Sequence, residues 1–257
     1  MTPPKRPERN TIKSAEKLFR IVDTLVELEG AGVTELADHL GLPKSSVHNY
    51  LQTMVHGGYA VKKGETYHAG LRFLTIGGHL REQDEAFQLS RPIVEDLAEQ
   101  TNERAQFIVE ENGRGIFIHR AAGERAIDAG TRIGKRIWLH STGAGKAILA
   151  HMDEDRREAV LDRWGLPPRT ENTITDRARL DAELEWIREQ GYAVNDEEGT
   201  IGLRTVAVPV IGPEDELIGA LSVSRPSRRL NDERCSPEIV KALSGSANEL
   251  ELRVAYS

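Results

Sequence analysis

Residues 33–51 read VTELADHLGLPKSSVHNYL, and they leave few folds open. Leu36, Ala37 and Leu40 fall at helical spacing on one short segment, and Val47, Tyr50 and Leu51 do so on the next, so each segment carries one apolar stripe. Two helices that cross steeply need a small residue where they touch and a tight turn between them. Ala37 meets the first need and Gly41 the second, because glycine accepts the left-handed backbone that ends a helix. Pro43 suits the opening of a new helix, where its missing N–H removes no bond, and Thr34 is placed to cap the first helix. The pattern predicts a helix-turn-helix. Lys44, Ser45, Ser46, His48, Asn49 and Gln52 remain on the outer face of the second helix, and such short or planar hydrogen-bonding residues suit phosphates and base edges. The plain alternative is a helical hairpin whose polar face is only solvated.

The flanking residues complete a module. Leu18, Ile21, Val22, Leu25 and Leu28 predict a third packing helix over residues 14–28. Gly57 and Gly58 end the second helix of the motif, and residues 59–63 and 66–68 flank Gly64-Glu65 as a two-stranded hairpin, or wing. Lys62 and Lys63 sit near its tip, within reach of backbone phosphates, although a lysine pair there also serves as a solvated surface. Residues 1–70 hold nine Lys/Arg against eight Asp/Glu, whereas residues 71–257 hold twenty-five against thirty-three. The net charge of −7 therefore hides a weakly basic module ahead of an acidic remainder. Six basic and two acidic residues fall within the first twenty. Lys5, Arg6 and Arg9 form a flexible arm that either follows DNA or merely solubilises the chain. Weak net charge predicts modest sequence-independent affinity, so specific contacts and dimerisation must carry more of the binding.

At 257 residues the chain is long enough for two domains. No apolar run approaches the roughly 20 residues a membrane span needs, and the basic, polar N-terminus lacks the apolar core of a secretory signal. A cytoplasmic protein without membrane association is expected. One cysteine, Cys235, excludes an intrachain disulfide or a cysteine-based metal cluster. The eight histidines show no H-E-x-x-H or paired metal spacing, so neither metal nor cofactor is expected.

Beyond the module, Leu71, Phe73, Leu74, Ile76, Leu80, Phe87 and Leu89 predict a linker helix over residues 71–90, interrupted at Gly77-Gly78, with its apolar side against a second copy. A further helix is expected from Pro92 to Gln100. Strands are expected at 106–110, 115–120, 125–128, 192–196, 203–211 and 217–224, and helices at 141–151, 153–164, 177–190 and 237–254. Ser236 is placed to cap the terminal helix and Pro237 to open it. Strands grouped in runs point to an α+β fold with a mainly antiparallel sheet. The expected division is a basic flexible arm (1–10), a winged helix-turn-helix (11–70), a linker helix (71–89) and a second domain (90–257).

Two features of that second domain look like a ligand site. In the run from His140 to Lys146 a glycine-rich turn enters a helix, whose exposed N–H groups favour a carboxylate or phosphate. It is not a nucleotide-hydrolase phosphate loop: His140 stands five before Gly145 where glycine is required, and Ala147 follows Lys146 where Ser or Thr is required. The glycines would equally serve close helix packing. In LIGALSVSRP, Ser222 and Ser224 share one strand face opposite Leu221 and Val223, and Thr205 on the preceding strand falls across from them. Such a polar stripe either faces water or lines a pocket. Ser141 with His140, and Asp128 or Asp196 elsewhere, would suggest a hydrolase, but no G-x-S-x-G elbow is present. An enzyme is therefore not expected.

Over roughly residues 11–255 the chain resembles the IclR family of transcriptional regulators. The resemblance is carried by TELADHLGLPKSSVHNYLQTM, YHAGLRFLTIGG, LHSTGAGKAILA and GYAVNDEEGTIGLRTVAVPVIGPEDELIGALSVSRP, in that order. It implies a winged helix-turn-helix on a GAF-like effector domain, dimerised through the DNA-binding domains and often tetrameric, with operator DNA and a small-molecule effector as partners. The effector pocket implied uses the backbone at Gly143 and Ala144 and the side chains of Asn195, Thr205, Ser222 and Ser224. Asn195 stands where the family often has an acidic residue, and Thr205 where it often has cysteine. A neutral amide is less hostile to an anion, and the resemblance implies a small organic acid from sugar or aromatic catabolism, so a sugar-acid or keto-acid effector is expected. The competing readings are a sensor acting through protein contacts and a small-molecule hydrolase.

Overall fold

The computed structural model describes residues 11–126, 130–229 and 236–257. The basic arm, Cys235 and Asp128 lie outside the described residues. The chain divides into two compact units, residues 1–80 and 81–257.

The described part of the first unit opens with three helices and a hairpin, ahead of the start of a fourth helix. Helices α1 (Lys13–Glu27), α2 (Val33–Leu40) and α3 (Lys44–His56) are followed by β1 (Ala60–Lys63) and β2 (Thr66–Ala69). Ile21, Leu25, Leu36, Ala37, Val47, Leu51 and Met54 are buried together, which is the apolar periodicity of three short segments brought to one centre. Gly41 ends α2 at φ 64°, the left-handed conformation expected of it. The wing pairs antiparallel with Lys63 opposite Thr66, and Tyr67 also exchanges both backbone hydrogen bonds with Ala31 at 2.9 Å. Thr34 does not cap α2. Leu36 N–H already bonds the Gly32 carbonyl at 3.0 Å, so the helix starts earlier; Gly32 is the cap residue, and its N–H donates to the Glu35 carboxylate at 3.4 Å. Thr34 is instead an exposed residue inside the first turn.

The linker also differs from expectation. Helix α4 (Arg72–Gln83) runs straight through Gly77 and Gly78 and stops at Asp84, whose carboxylate accepts from Phe87 N–H at 3.2 Å and starts α5 (Glu85–Thr101). A glycine weakens a helix by about 1 kcal/mol but does not end it, whereas an aspartate cap starts a new one. Pro92, expected to open a helix, lies inside α5 on its exposed side.

The second unit is a six-stranded sheet in the order β5-β4-β3-β8-β7-β6. Its strands are β3 (Arg104–Glu111), β4 (Arg114–Ala122), β5 (Arg136–Ile137), β6 (Ala193–Asp196), β7 (Leu203–Ile211) and β8 (Leu217–Pro226), and every pairing is antiparallel. The fold is α+β, with the antiparallel GAF-like layout expected. The strand expected at 125–128 is a turn at Arg125, and Ala126 has no regular structure; the short β5 pairs with β4 instead. Helices α6 (Gly143–His151), α7 (Glu154–Trp164), α8 (Arg177–Gln190) and α9 (Pro237–Ala255) complete the unit. Ser236 precedes α9, but its hydroxyl donates to the Glu238 carboxylate rather than accepting a backbone N–H.

Strand alternation sorts the two faces. Phe107, Val206, Val208, Leu221 and Val223 join α5 and α9 in one core, while Ile108, Ala207 and Ala220 join α6 and α8 in the other. Serines 222 and 224 therefore fall on the α6 side, among alanines rather than valines.

Candidate functional site

In the first unit, Lys44, Ser45, His48, Asn49 and Gln52 are exposed along α3, and Ser46 is half-buried. The i, i+3/i+4, i+7 spacing of Ser45, His48, Asn49 and Gln52 places them on one face, opposite buried Val47, Leu51 and Met54. Gln52 is already engaged: its amide donates to the Tyr67 hydroxyl at 3.2 Å and so ties α3 to the wing. Lys62 lies 3.7 Å from Glu65 and 5.6 Å from the Tyr67 ring centroid. Such exposed pairs contribute little, so the ammonium remains available to a phosphate. Lys63 is exposed beside it.

The same unit displays large apolar side chains. Leu71, Leu74 and Leu80 are 81%, 71% and 59% exposed, and Phe19 on α1 is 65% exposed. Isolated exposed leucines are ordinary, but several along one helix are characteristic of a surface that meets a partner.

In the second unit the sheet register assembles a polar patch. Asn195 pairs with Thr205, Thr205 with Ser224, and Ser224 with Arg104, making one row across four strands. The next row holds Ala207, Ser222 and Gln106. The patch does not face water: Asn195, Ser222, Ser224, Gln106 and Arg104 are all buried. The first turn of α6 lies against it, close enough that a Cβ on Gly143 would sit 3.2 Å from the Thr205 carbonyl. A side chain here would press on β7, so glycine fits this close approach, at the helix end that favours an anion.

Each of these side chains makes at least one hydrogen bond within the unit. Asn195 Nδ2 donates to the Ser141 carbonyl at 2.7 Å. Ser222 and Ser224 each donate to Gln106 Oε1 at 3.1 Å, and the Thr205 and Ser224 hydroxyl oxygens lie 3.0 Å apart. Arg104 Nη1 donates to Thr131 Oγ1 at 3.2 Å. A ligand entering here must replace these bonds with its own, because a buried unpaired donor costs about 1–3 kcal/mol.

Arg104 and Gln106 are the residues that sequence reasoning missed. The signal was present: RAQFIVEE carries Arg, Gln and Ile at every second position of a strand flanked by apolar neighbours. Without knowing that β3 pairs with β8, nothing directs those two side chains to the serines.

Lys146 gives the GAGK run its likeness to a phosphate loop, yet its ammonium is fully buried between Glu183 Oε1 at 2.7 Å and Glu198 Oε1 at 2.6 Å. Burial pushes the Glu198 carboxyl above the usual carboxylate range, against the pull of Lys146. This triad joins α6 to α8 and to the turn after β6, where Gly199 packs under the Ser141 carbonyl. It fixes the α6 N-terminus without offering a charge to a ligand.

A winged helix-turn-helix with a solvent-facing polar recognition face, followed by a sheet domain with a buried polar patch under a helix start, defines a DNA-binding regulator with a ligand-binding domain. Family comparison agrees: residues 14–64 match the IclR helix-turn-helix domain, and residues 80–252 match the C-terminal domain of bacterial IclR transcriptional regulators. The chain belongs to the IclR family, whose members are DNA-binding regulators and not enzymes. It is 30% identical over 251 residues to the probable transcriptional regulator ArcR of Halobacterium salinarum, covering 96% of this chain and 95% of that protein. It is similar to the crystal structure of Thermotoga maritima IclR, with a TM-score of 0.78, 28% identity, and coverage of 96% and 100%. It also shares its fold with an IclR homologue from Microbacterium hydrocarbonoxydans complexed with 4-hydroxybenzoate, at a TM-score of 0.80, 23% identity, and coverage of 95% and 100%. No helix among the described residues is long and apolar enough to cross a membrane.

Proposed function

We propose that this chain reads a specific operator through α3 and the wing, and that a small organic acid bound beneath α6 sets its affinity for that operator. Ser45, Ser46, His48 and Asn49 contact base edges; Lys44, Lys62 and Lys63 contact phosphates, with Thr34 beside them at the start of α2. Gln52 holds the wing to α3 and meets DNA at the edge of that surface. The exposed leucines of residues 71–80 and Phe19 pair the unit with a second copy, which places two recognition helices on a pseudo-palindromic site.

The effector's carboxylate sits at the backbone of Gly143 and Ala144, and its remaining oxygens engage Asn195, Thr205, Ser222 and Ser224. Arg104, the cross-strand partner of Ser224 in the register, supplies the balancing positive charge. The observation that carries this reading is the buried polar row itself: hydroxyl, amide and guanidinium groups facing a helix start, on a sheet face otherwise lined by apolar residues such as Ile108, Ala207 and Ala220. An aromatic acid held by a regulator of the same fold accords with this class. A coupling of about 1–3 kcal/mol between the two sites would change operator affinity roughly 5- to 150-fold.

The test begins with genomic DNA that co-purifies with the full-length protein. Its sequencing yields the operator, and the labelled operator is then titrated in the presence of a panel of aromatic, keto and sugar acids. The reading requires one of these acids to shift operator affinity. A titration that no acid moves, with operator binding intact, contradicts the effector assignment.

A further inference from the structure

A cavity of about 270 Å³ lies wholly within the second unit and away from the serine patch. Its polar lining is Arg81 from the end of α4, Arg91 and Glu95 from α5, and His119 and Arg120 from β4. Three guanidinium groups thus face one carboxylate, in the half of the chain that carries the excess of acidic residues. Arg91 Nε reaches Glu95 at 3.1 Å on the exposed side, and Arg120 donates to the Thr131 carbonyl. Neither contact neutralises Arg81 or Arg120.

Arg81 is held in an unusual way. His119 Nε2 lies 2.8 Å from the Phe87 carbonyl and so carries the ring proton, which leaves Nδ1 to accept from Arg81 Nη2 at 2.6 Å. His119 stays neutral because burial and the adjacent Arg81 lower its pKa to about 4. Arg81 is therefore oriented by a neutral ring rather than neutralised by a carboxylate, and its Nε is buried with no hydrogen-bond partner among the described residues. Arg81 is half-buried, and a partly desolvated cation that meets no carboxylate among the described residues is costly. A bound anion removes that cost.

We infer that this cavity is a second ligand site, built to bind a small dianion through Arg81, Arg91 and Arg120. Val94 and Ile133 line the remaining wall, which suits the short carbon chain of a dicarboxylate better than a bare phosphate. The bound anion joins the end of α4, α5 and the Arg120 segment of β4 in one contact network, across the Asp84 break between the two helices. The site is separate in residues from the α6 patch and stands whether or not that patch binds an effector.

Calorimetric titration of the full-length protein with succinate, and separately with inorganic phosphate, tests the inference. Wild type binds, with succinate tighter if the dianion is a dicarboxylate and phosphate tighter if it is a phosphoryl group. Arg81→Gln weakens binding by about tenfold, as expected for a half-buried charge-assisted contact; the exposed Arg91→Gln weakens it about threefold. Glu95→Gln tightens it by a similar factor, because it removes the one competing carboxylate. Ser222→Leu leaves it unchanged. Failure of both anions to bind wild type overturns the inference, as does binding that ignores the Arg91 and Glu95 substitutions. Loss of binding in Ser222→Leu would instead assign the anion to the α6 patch.

Discussion

Serine, threonine, asparagine and glutamine occur in both units, in opposite circumstances. On α3 they stand in solvent over a buried apolar stripe, and only Gln52 has a side-chain partner in the wing. On β6 and β8 Asn195, Ser222 and Ser224 are buried, with half-buried Thr205 between them on β7, and they are hydrogen-bonded to one another, to Gln106 or to backbone. Exposed polar groups are free to pair with a large partner and contribute little to the fold. Buried ones are already paired, so they discriminate by making an ill-fitting ligand leave a donor unsatisfied. The two surfaces should therefore respond differently to the same kind of substitution.

The largest expected effect lies under the buried surface. Lys146→Met leaves Glu183 and Glu198 without their cation inside the protein, and should destabilise the fold by about 3–5 kcal/mol, read as a fall in denaturant midpoint. If stability is unchanged, the triad is not what holds the α6 start. Next is Asn49→Ala on the exposed surface, expected to weaken operator binding by about 1–3 kcal/mol with no change in melting temperature. Equal weakening on operator and unrelated DNA would move Asn49 from base reading to backbone contact. Lys63→Gln should act uniformly across DNA sequences and lower the salt slope by about one; a sequence-dependent loss would contradict its assignment to phosphate.

The smallest expected effect is titrational. His119 has a folded pKa of about 4 against an ordinary value of 6.5. The unfolded chain therefore takes up the proton first, and the stability tied to the neutral ring is present above about pH 6.5 and lost as pH falls towards 4. Melting temperatures measured across that window should drop for wild type, and by less for His119→Gln. Parallel curves would show that some other group dominates the acid limb.

Much of this was legible in the chain. The helix-turn-helix followed from Leu36, Ala37, Gly41, Val47 and Leu51, because local periodicity and one left-handed turn suffice to define it. Strand β7 and helix α8 also fall where periodicity predicts, and the side-by-side placement of Ser222 and Ser224 needed only the two-residue alternation of a strand. Three things were out of reach for physical reasons. The α4–α5 break turns on the Asp84 cap and not on the more conspicuous glycines. Thr34 lost the cap position because Glu35 reaches back to Gly32. Arg104 and Gln106 join the serines only through the β3–β8 pairing, a contact more than a hundred residues apart in sequence that no local pattern encodes.

A double dissociation tests the comparison most directly. Full-length wild type, Asn49→Ala and Ser222→Leu are each measured for affinity to the co-purified operator and for the thermal shift produced by the organic acid that releases it. Asn49→Ala should lose operator affinity and keep the acid-induced shift, while Ser222→Leu should keep operator affinity and lose the shift. A variant that loses both, or a Ser222→Leu protein still released by the acid, would contradict the division between an exposed surface that reads DNA and a buried one that controls it.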